Sequence, residues 1–189
     1  MRFLVVLASL LSAAAYQNLT AGSDSTCVCT TVPCPVTGAN KLEVGGGTIG
    51  TYNYAMHNGH AVVTSAHVPL KKSDINLGSE TTSCTQAYSR TLDDDGVEDC
   101  DAGHILAHHL GGPGNQPINI FPQDLSVNRG SYSQYEGQIY DCVAGGQDVD
   151  LSWVFTYEST SHTKPYKVKY TAEYKSSGAC SDSVETFDN

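Results

Sequence analysis

Between Asp101 and Glu136 the chain reads Asp-Ala-Gly-His-Ile-Leu, then Ala-His-His-Leu-Gly-Gly, then Asn-Ile-Phe-Pro-Gln, and ends on a segment carrying Asn128 and Glu136. No other feature limits the fold as much. Gly103 to Leu106 suits a strand and Ile118 to Phe121 a second, with Gly111-Gly112-Pro113-Gly114 turning the chain between them. A helix is expected from about Asp124 to Val143, with Asp124 or Ser126 as N-cap and Gly145-Gly146 as its end. Gly130 and Gly137 weaken its regularity.

The remaining chain supplies a scaffold for this unit. Its 189 residues suffice for one domain. Residues 1–15 pair a charged start with an apolar run and a small-x-small end at Ala13 and Ala15, the pattern of a cleaved export signal, so a secreted, extracellular protein is expected. That run is too short to cross a bilayer and nothing later is apolar for long enough, so no membrane association is expected. Residues 16–44 read as an irregular Cys/Thr/Pro-rich arm, 45–175 as the domain proper and 176–189 as a polar tail. Thr48–Ala55 alternates as a strand, His57-Asn58-Gly59-His60 is a tight turn with both histidines at the surface, and Ala61–Ala66 returns. Val149–Tyr157 and Tyr166–Tyr174 alternate as two more strands, and Gln86–Arg90 is a short element.

Seven cysteines (Cys27, Cys29, Cys34, Cys84, Cys100, Cys142 and Cys180) fit an oxidising compartment. The odd count leaves one thiol over, either reduced or bonded to another chain, in what is otherwise expected to be a monomer. Cys84 with Cys100 would close a short loop before the histidine, and Cys142 with Cys180 is the second expected pair. Cys27, Cys29 and Cys34 lack the second close pair of a zinc site, so disulfides are preferred there too. Asn18-Leu19-Thr20 is a glycosylation sequon. A formal net charge of −10 argues against a general electrostatic binder of nucleic acid, but not against a site with local positive charge and a metal ion. Much of the acid lies in Asp93-Asp94-Asp95 and Glu98-Asp99, read as a solvated loop because a calcium loop needs an alternating ligand pattern that is absent.

Hydrolysis of a phosphodiester requires an activated water, a cation at the phosphoryl oxygens and help for the departing oxygen. Histidine is the side chain best suited to general-base work near neutral pH, and a strand after a glycine projects His104 in a fixed direction. Asn128, on the helix that follows, offers an amide oxygen to a hard cation such as Mg²⁺, which keeps most of its waters and needs few protein ligands. Glu136 lies eight residues on, about two helical turns, on nearly the same face. Each residue alone has a plainer reading: a structural histidine, a helix cap, a solvated carboxylate. Their joint spacing favours chemistry. His108 and His109 are read as one core-facing and one solvent-facing residue, and Tyr132 and Tyr135 as packing or stacking groups.

In this order, Asp-x-Gly-His-Ile, Gly-Gly, Asn-Ile-x-Pro-Gln, Asn and Glu, the chain resembles the DNA/RNA non-specific endonucleases of the ββα-metal (His-Me finger) superfamily. The resemblance is densest from Arg90 to Glu136. It implies an α+β fold, a central antiparallel or mixed sheet with a ββα-metal finger laid against it, here disulfide-stabilised. It also implies an endonuclease acting on DNA and RNA with one Mg²⁺ or Mn²⁺ and leaving 5′-phosphate ends. On that basis His104 is the general base, Asn128 the metal ligand and Glu136 its support, while Gln123 and Asn119 order the metal's water shell or the base. Arg90 is the phosphate-contacting arginine ahead of the motif. Many members carry arginine where this chain has Ala102, so the phosphate grip is expected from Arg90, Arg129 or the lysines Lys164 and Lys167. Two other readings compete: an inactive secreted binding or toxin-like protein on the same fold, and a metal-independent ribonuclease built on paired histidines.

Overall fold

Alternation of large apolar and polar residues in β2 (Thr48–His57) and β3 (His60–Leu70) makes them a hairpin, closed by Asn58 and Gly59 at φ of 45° and 80°. Positive φ at both positions matches the turn to the right-handed strand twist. In the computed structural model, which describes residues 38–92 and 100–189, this hairpin belongs to a six-stranded sheet in the order β1-β2-β3-β6-β7-β8. The flanking strands are β1 (Gly38–Val44), β6 (Val149–Thr156), β7 (Lys167–Tyr174) and β8 (Ser183–Asp188), and every neighbouring pair runs antiparallel. The export signal, Asn18, Cys27, Cys29, Cys34 and the acidic run at 93–99 lie outside the described residues.

One face of the sheet is solvated and the other carries the core. Tyr52, Val68, Leu151, Trp153 and Tyr170 point inward and are fully buried. They meet α1 (Ser83–Thr91), the hairpin β4 (Cys100–His104) and β5 (Ile120–Asp124), and the helical stretch that runs from α2 (Leu125–Val127) into α3 (Ser133–Ala144). Phe121 packs edge-on against Phe155, and Tyr135 against Tyr170. Aromatic pairs of this kind add about 0.5–1.5 kcal/mol beyond the area they bury.

Several expectations change here. The polar tail is not loose: 183–188 form an edge strand in which Phe187 alone is buried. Residues 38–44, read as part of the irregular arm, pair with β2 along their whole length. The expected helix is split, because Asn128–Tyr132 is wound as a π-helical turn and Gly130 leaves helical geometry (φ −114°, ψ −109°). Asp124 does cap it, accepting from the Ser126 and Val127 N–H groups. His57 is buried, its ring 4.7 Å from that of Tyr157 and its Nδ1 2.9 Å from the His162 carbonyl.

Cys142 and Cys180 form a disulfide that ties α3 to the approach of β8. Cys84 is disulfide-bonded too, but not to Cys100. Cys84 turns inward in the first turn of α1, whereas Cys100 opens β4 opposite Asp124. Among the described residues no helix is long and apolar enough to cross a membrane.

Candidate active site

A cleft of about 430 Å³ opens between α1 and β4, and its walls include His104, Asn128, Arg90, Arg129, Ala102 and Glu80. Four residues singled out from the sequence, His104, Asn128, Arg90 and Arg129, therefore meet in one place.

His104 ends β4, and its Nε2 lies 3.1 Å from the carbonyl oxygen of Ser79. A carbonyl can only accept, so Nε2 carries the proton and Nδ1 remains the basic nitrogen of a neutral ring. The Ser79 carbonyl is itself fixed by the Gly114 N–H at 3.0 Å, while the Ser79 N–H donates to Gly112 O at 3.1 Å. A side chain on Gly112 would collide with the Leu106 carbonyl, so the two backbones approach only because that position is glycine. Burial pushes the His104 imidazole below the ordinary histidine value, more than the Ser79 bond pulls it up. The ring is thus held neutral and aimed, which is what a general base requires.

Asn128 opens the π-helical turn. Its Nδ2 donates to Asp101 Oδ2 at 2.9 Å, and Arg129 grips both oxygens of the same carboxylate through Nε and Nη2, each at 2.9 Å. Partial burial works to raise the Asp101 carboxyl, but these hydrogen bonds and the Arg129 charge outweigh it and hold it below the usual carboxylate range. With its NH₂ committed, Asn128 keeps its amide oxygen as an acceptor in the cleft wall. Arg129 remains mostly exposed despite the bidentate pair, so its remaining N–H groups can still meet an anion.

Gln123, Glu136 and Asn119 are placed differently from Asn128, and none of the three lines the cleft. Gln123 pairs with Asp101 across the β4–β5 ladder. Its side chain and Glu136 Oε1 are buried without hydrogen-bond partners among the described residues. A side chain at Gly103 would strike the Gln123 amide, which accounts for the glycine before the histidine. Burial drives the Glu136 carboxyl well above the usual range. Asn119 is fully buried. Its oxygen accepts from the Tyr52 hydroxyl at 3.0 Å and the Leu106 N–H at 2.9 Å, and its nitrogen donates to the Leu106 carbonyl at 2.9 Å and that of Pro113 at 3.5 Å. Both lone pairs and both protons are used, so Asn119 has nothing to offer a metal's water shell and clamps the loop instead.

Lys164 and Lys167 are also absent from the cleft. Lys164 is 5% exposed. Lys167 lies on β7 opposite Asp188, to which its Nζ reaches at 3.5 Å. The basic groups beside Ala102 are Arg90, in the last turn of α1, and Arg129. His108 faces solvent and His109 is half-buried, as their adjacent positions suggested. Tyr132 is a core residue, receiving the Trp153 indole N–H at 3.0 Å and donating to the Ile105 carbonyl at 3.3 Å. Ser79 escaped sequence reasoning because it acts through its backbone; the one hint was its place in a polar loop.

No group of three or more His, Cys, Asp or Glu side chains converges among the described residues. In the cleft the Asn128 amide oxygen is the kind of neutral donor that suits a hard ion keeping most of its waters, while the unsatisfied Gln123 and Glu136 atoms lie outside the cleft walls.

The model of the DNA/RNA non-specific endonuclease family matches residues 47–178. The probable deoxyribonuclease RhsA of Dickeya dadantii (strain 3937) is 34% identical over 114 residues, 60% of this chain. The match takes up 8% of that relative, so this chain spans only a small part of its length. Magnesium-bound NucA from Streptococcus agalactiae has a similar fold, with a TM-score of 0.50 at 12% identity over 80% of this chain and 84% of that one. The metal-free NucA structure scores 0.49 at 11% identity, covering 87% and 75%.

Proposed function

The chain belongs to the DNA/RNA non-specific endonuclease family, and from that premise we propose a secreted, metal-dependent endonuclease that hydrolyses phosphodiester bonds of both DNA and RNA to 5′-phosphate products. The observation that carries this reading is the meeting of His104, with its basic Nδ1 exposed by the Ser79 bond, and Asn128 across one cleft.

His104 Nδ1 takes a proton from the water that attacks phosphorus in line with the 3′ oxygen. Asp101 orients the Asn128 amide, whose oxygen would hold the ion, one Mg²⁺ or Mn²⁺ per site, with Gln123 and Glu136 as its support. When bound, the ion supplies positive charge to the phosphoryl and leaving oxygens. Arg90 and Arg129 bind the flanking phosphate and take the part of the arginine that Ala102 lacks.

The test is cleavage of plasmid DNA and of RNA with and without EDTA. Cleavage by the protein with Mg²⁺ that chelation abolishes is the expected result. No cleavage with any divalent ion would support the binding-protein reading, which the charge of −10 and Ala102 favour. Activity in EDTA with cyclic phosphate products would support a metal-independent ribonuclease.

The pH profile is a second check. Because burial lowers the His104 imidazole below 6.5, the base stays neutral at pH 6.5, and activity falls only as pH drops further. The same sign applies to stability: the unfolded chain binds the proton first, so the native state loses ground as pH falls from 6.5 through the folded value. An acid limb of kcat/KM centred at or above the ordinary histidine value would count against His104 as the base.

A further inference from the structure

The cleft is lined by charges of both signs: Arg90 and Arg129, with Asp101 gripped by Arg129, and Glu80, whose Oε1 lies 3.3 Å from His108 Nε2. Three residues before Glu80, Leu77 is 60% exposed, the most exposed of the large apolar side chains among the described residues, and the His108 side chain is 47% exposed. Behind them the rings continue as a row: His104 to His108 at 6.1 Å between centroids, His108 to His109 at 5.5 Å and His109 to Tyr140 at 5.5 Å. The row is braced, since the Asn76 amide donates to the Tyr140 hydroxyl at 3.0 Å and its backbone N–H to the His109 carbonyl at 2.9 Å. Residues 76–80 and 108–109 therefore make one rim that starts at His104.

We propose that this rim, Leu77 and His108 with Glu80 beside them, is a subsite for an unpaired nucleobase of the substrate strand. The inference rests on the cleft being a nucleic-acid site and says how a strand lies in it. The Asp101 carboxylate is paired with Arg129, whereas the partner of Glu80 is the His108 ring, so backbone phosphates are drawn to Arg90 and Arg129 and the bases turn toward Leu77 and His108. There an apolar surface and a braced ring accept a π-face. Glu80 accepts hydrogen bonds from exocyclic amino groups, which bases carry and phosphates lack. A paired base cannot turn aside in this way, so single strands are preferred over duplex.

The test is a fluorescence titration in EDTA, which reads binding apart from cleavage. The probes are a single-stranded oligonucleotide bearing 2-aminopurine, the same length made abasic with an end label, and the duplex form. Wild-type protein is expected to bind the base-bearing strand more tightly than the abasic one and to quench the 2-aminopurine. Leu77→Ser and His108→Ala, both at exposed positions, should each weaken that binding by about 5- to 100-fold and leave abasic and duplex binding unchanged. Equal affinity of wild-type protein for base-bearing and abasic strands would overturn the subsite, as would variants that weaken both alike. Base-dependent binding by a protein that never cuts would instead overturn the nuclease reading and leave the subsite standing.

Discussion

His104→Ala is expected to lower turnover on DNA and RNA by about 10²- to 10⁴-fold, the usual worth of a positioned general base, with the fold intact. The side chain is only part-buried and makes one hydrogen bond, to the Ser79 carbonyl. That carbonyl keeps the Gly114 N–H when the ring is gone, so no buried acceptor is left unpaired. Thermal melting should therefore move little while single-turnover cleavage collapses. A variant that cuts at the wild-type rate would remove His104 from the mechanism.

Asn119→Ala should act in the opposite way, on stability. The substitution leaves the Tyr52 hydroxyl, the Leu106 N–H and the Leu106 carbonyl without their partner in a fully buried place. Each such orphan costs about 1–3 kcal/mol, so a loss of about 3–9 kcal/mol is expected against a total domain stability of about 5–15 kcal/mol. Denaturant unfolding measures it directly. An unchanged midpoint with activity lost would return Asn119 to the metal's water shell and refute the clamp.

The two amides show what the sequence could and could not tell. Asn119 and Asn128 both stand at positions that the resemblance marks for the site, and nothing in residue type distinguishes them. Tyr52, from a strand 67 residues away, fills Asn119's oxygen, whereas Asp101 takes only Asn128's nitrogen. Tertiary partners decide. The strands β2, β3, β6 and β7 were legible because one buried face forces alternation, and Asn58-Gly59 because few residues tolerate positive φ. Strand β8 was not, since an edge strand with only Phe187 buried has no apolar alternation to read. Helix α1 was underestimated for a similar reason: its start is a reciprocal pair of threonines, Thr82 and Thr85, rather than the usual Ser/Thr with Glu. Lys164 was expected at the phosphate from the resemblance, yet it is 5% exposed and is not among the residues that line the cleft. The histidine was legible; the carbonyl that aims it was not, because every residue has one.

The strand–turn–strand–helix unit is often pictured as a portable module, yet here it is wired into its host. The carbonyl that sets the His104 tautomer comes from Ser79, and the hydroxyl that fills the Asn119 clamp comes from Tyr52. Both lie upstream of the unit, the second on β2, one strand in from the edge of the sheet. Grafting residues 100–144 onto another scaffold would carry His104 and Asn128 across but leave behind the groups that orient them. Any redesign of this unit has to move the hairpin β2–β3 and the 78–80 loop along with the motif.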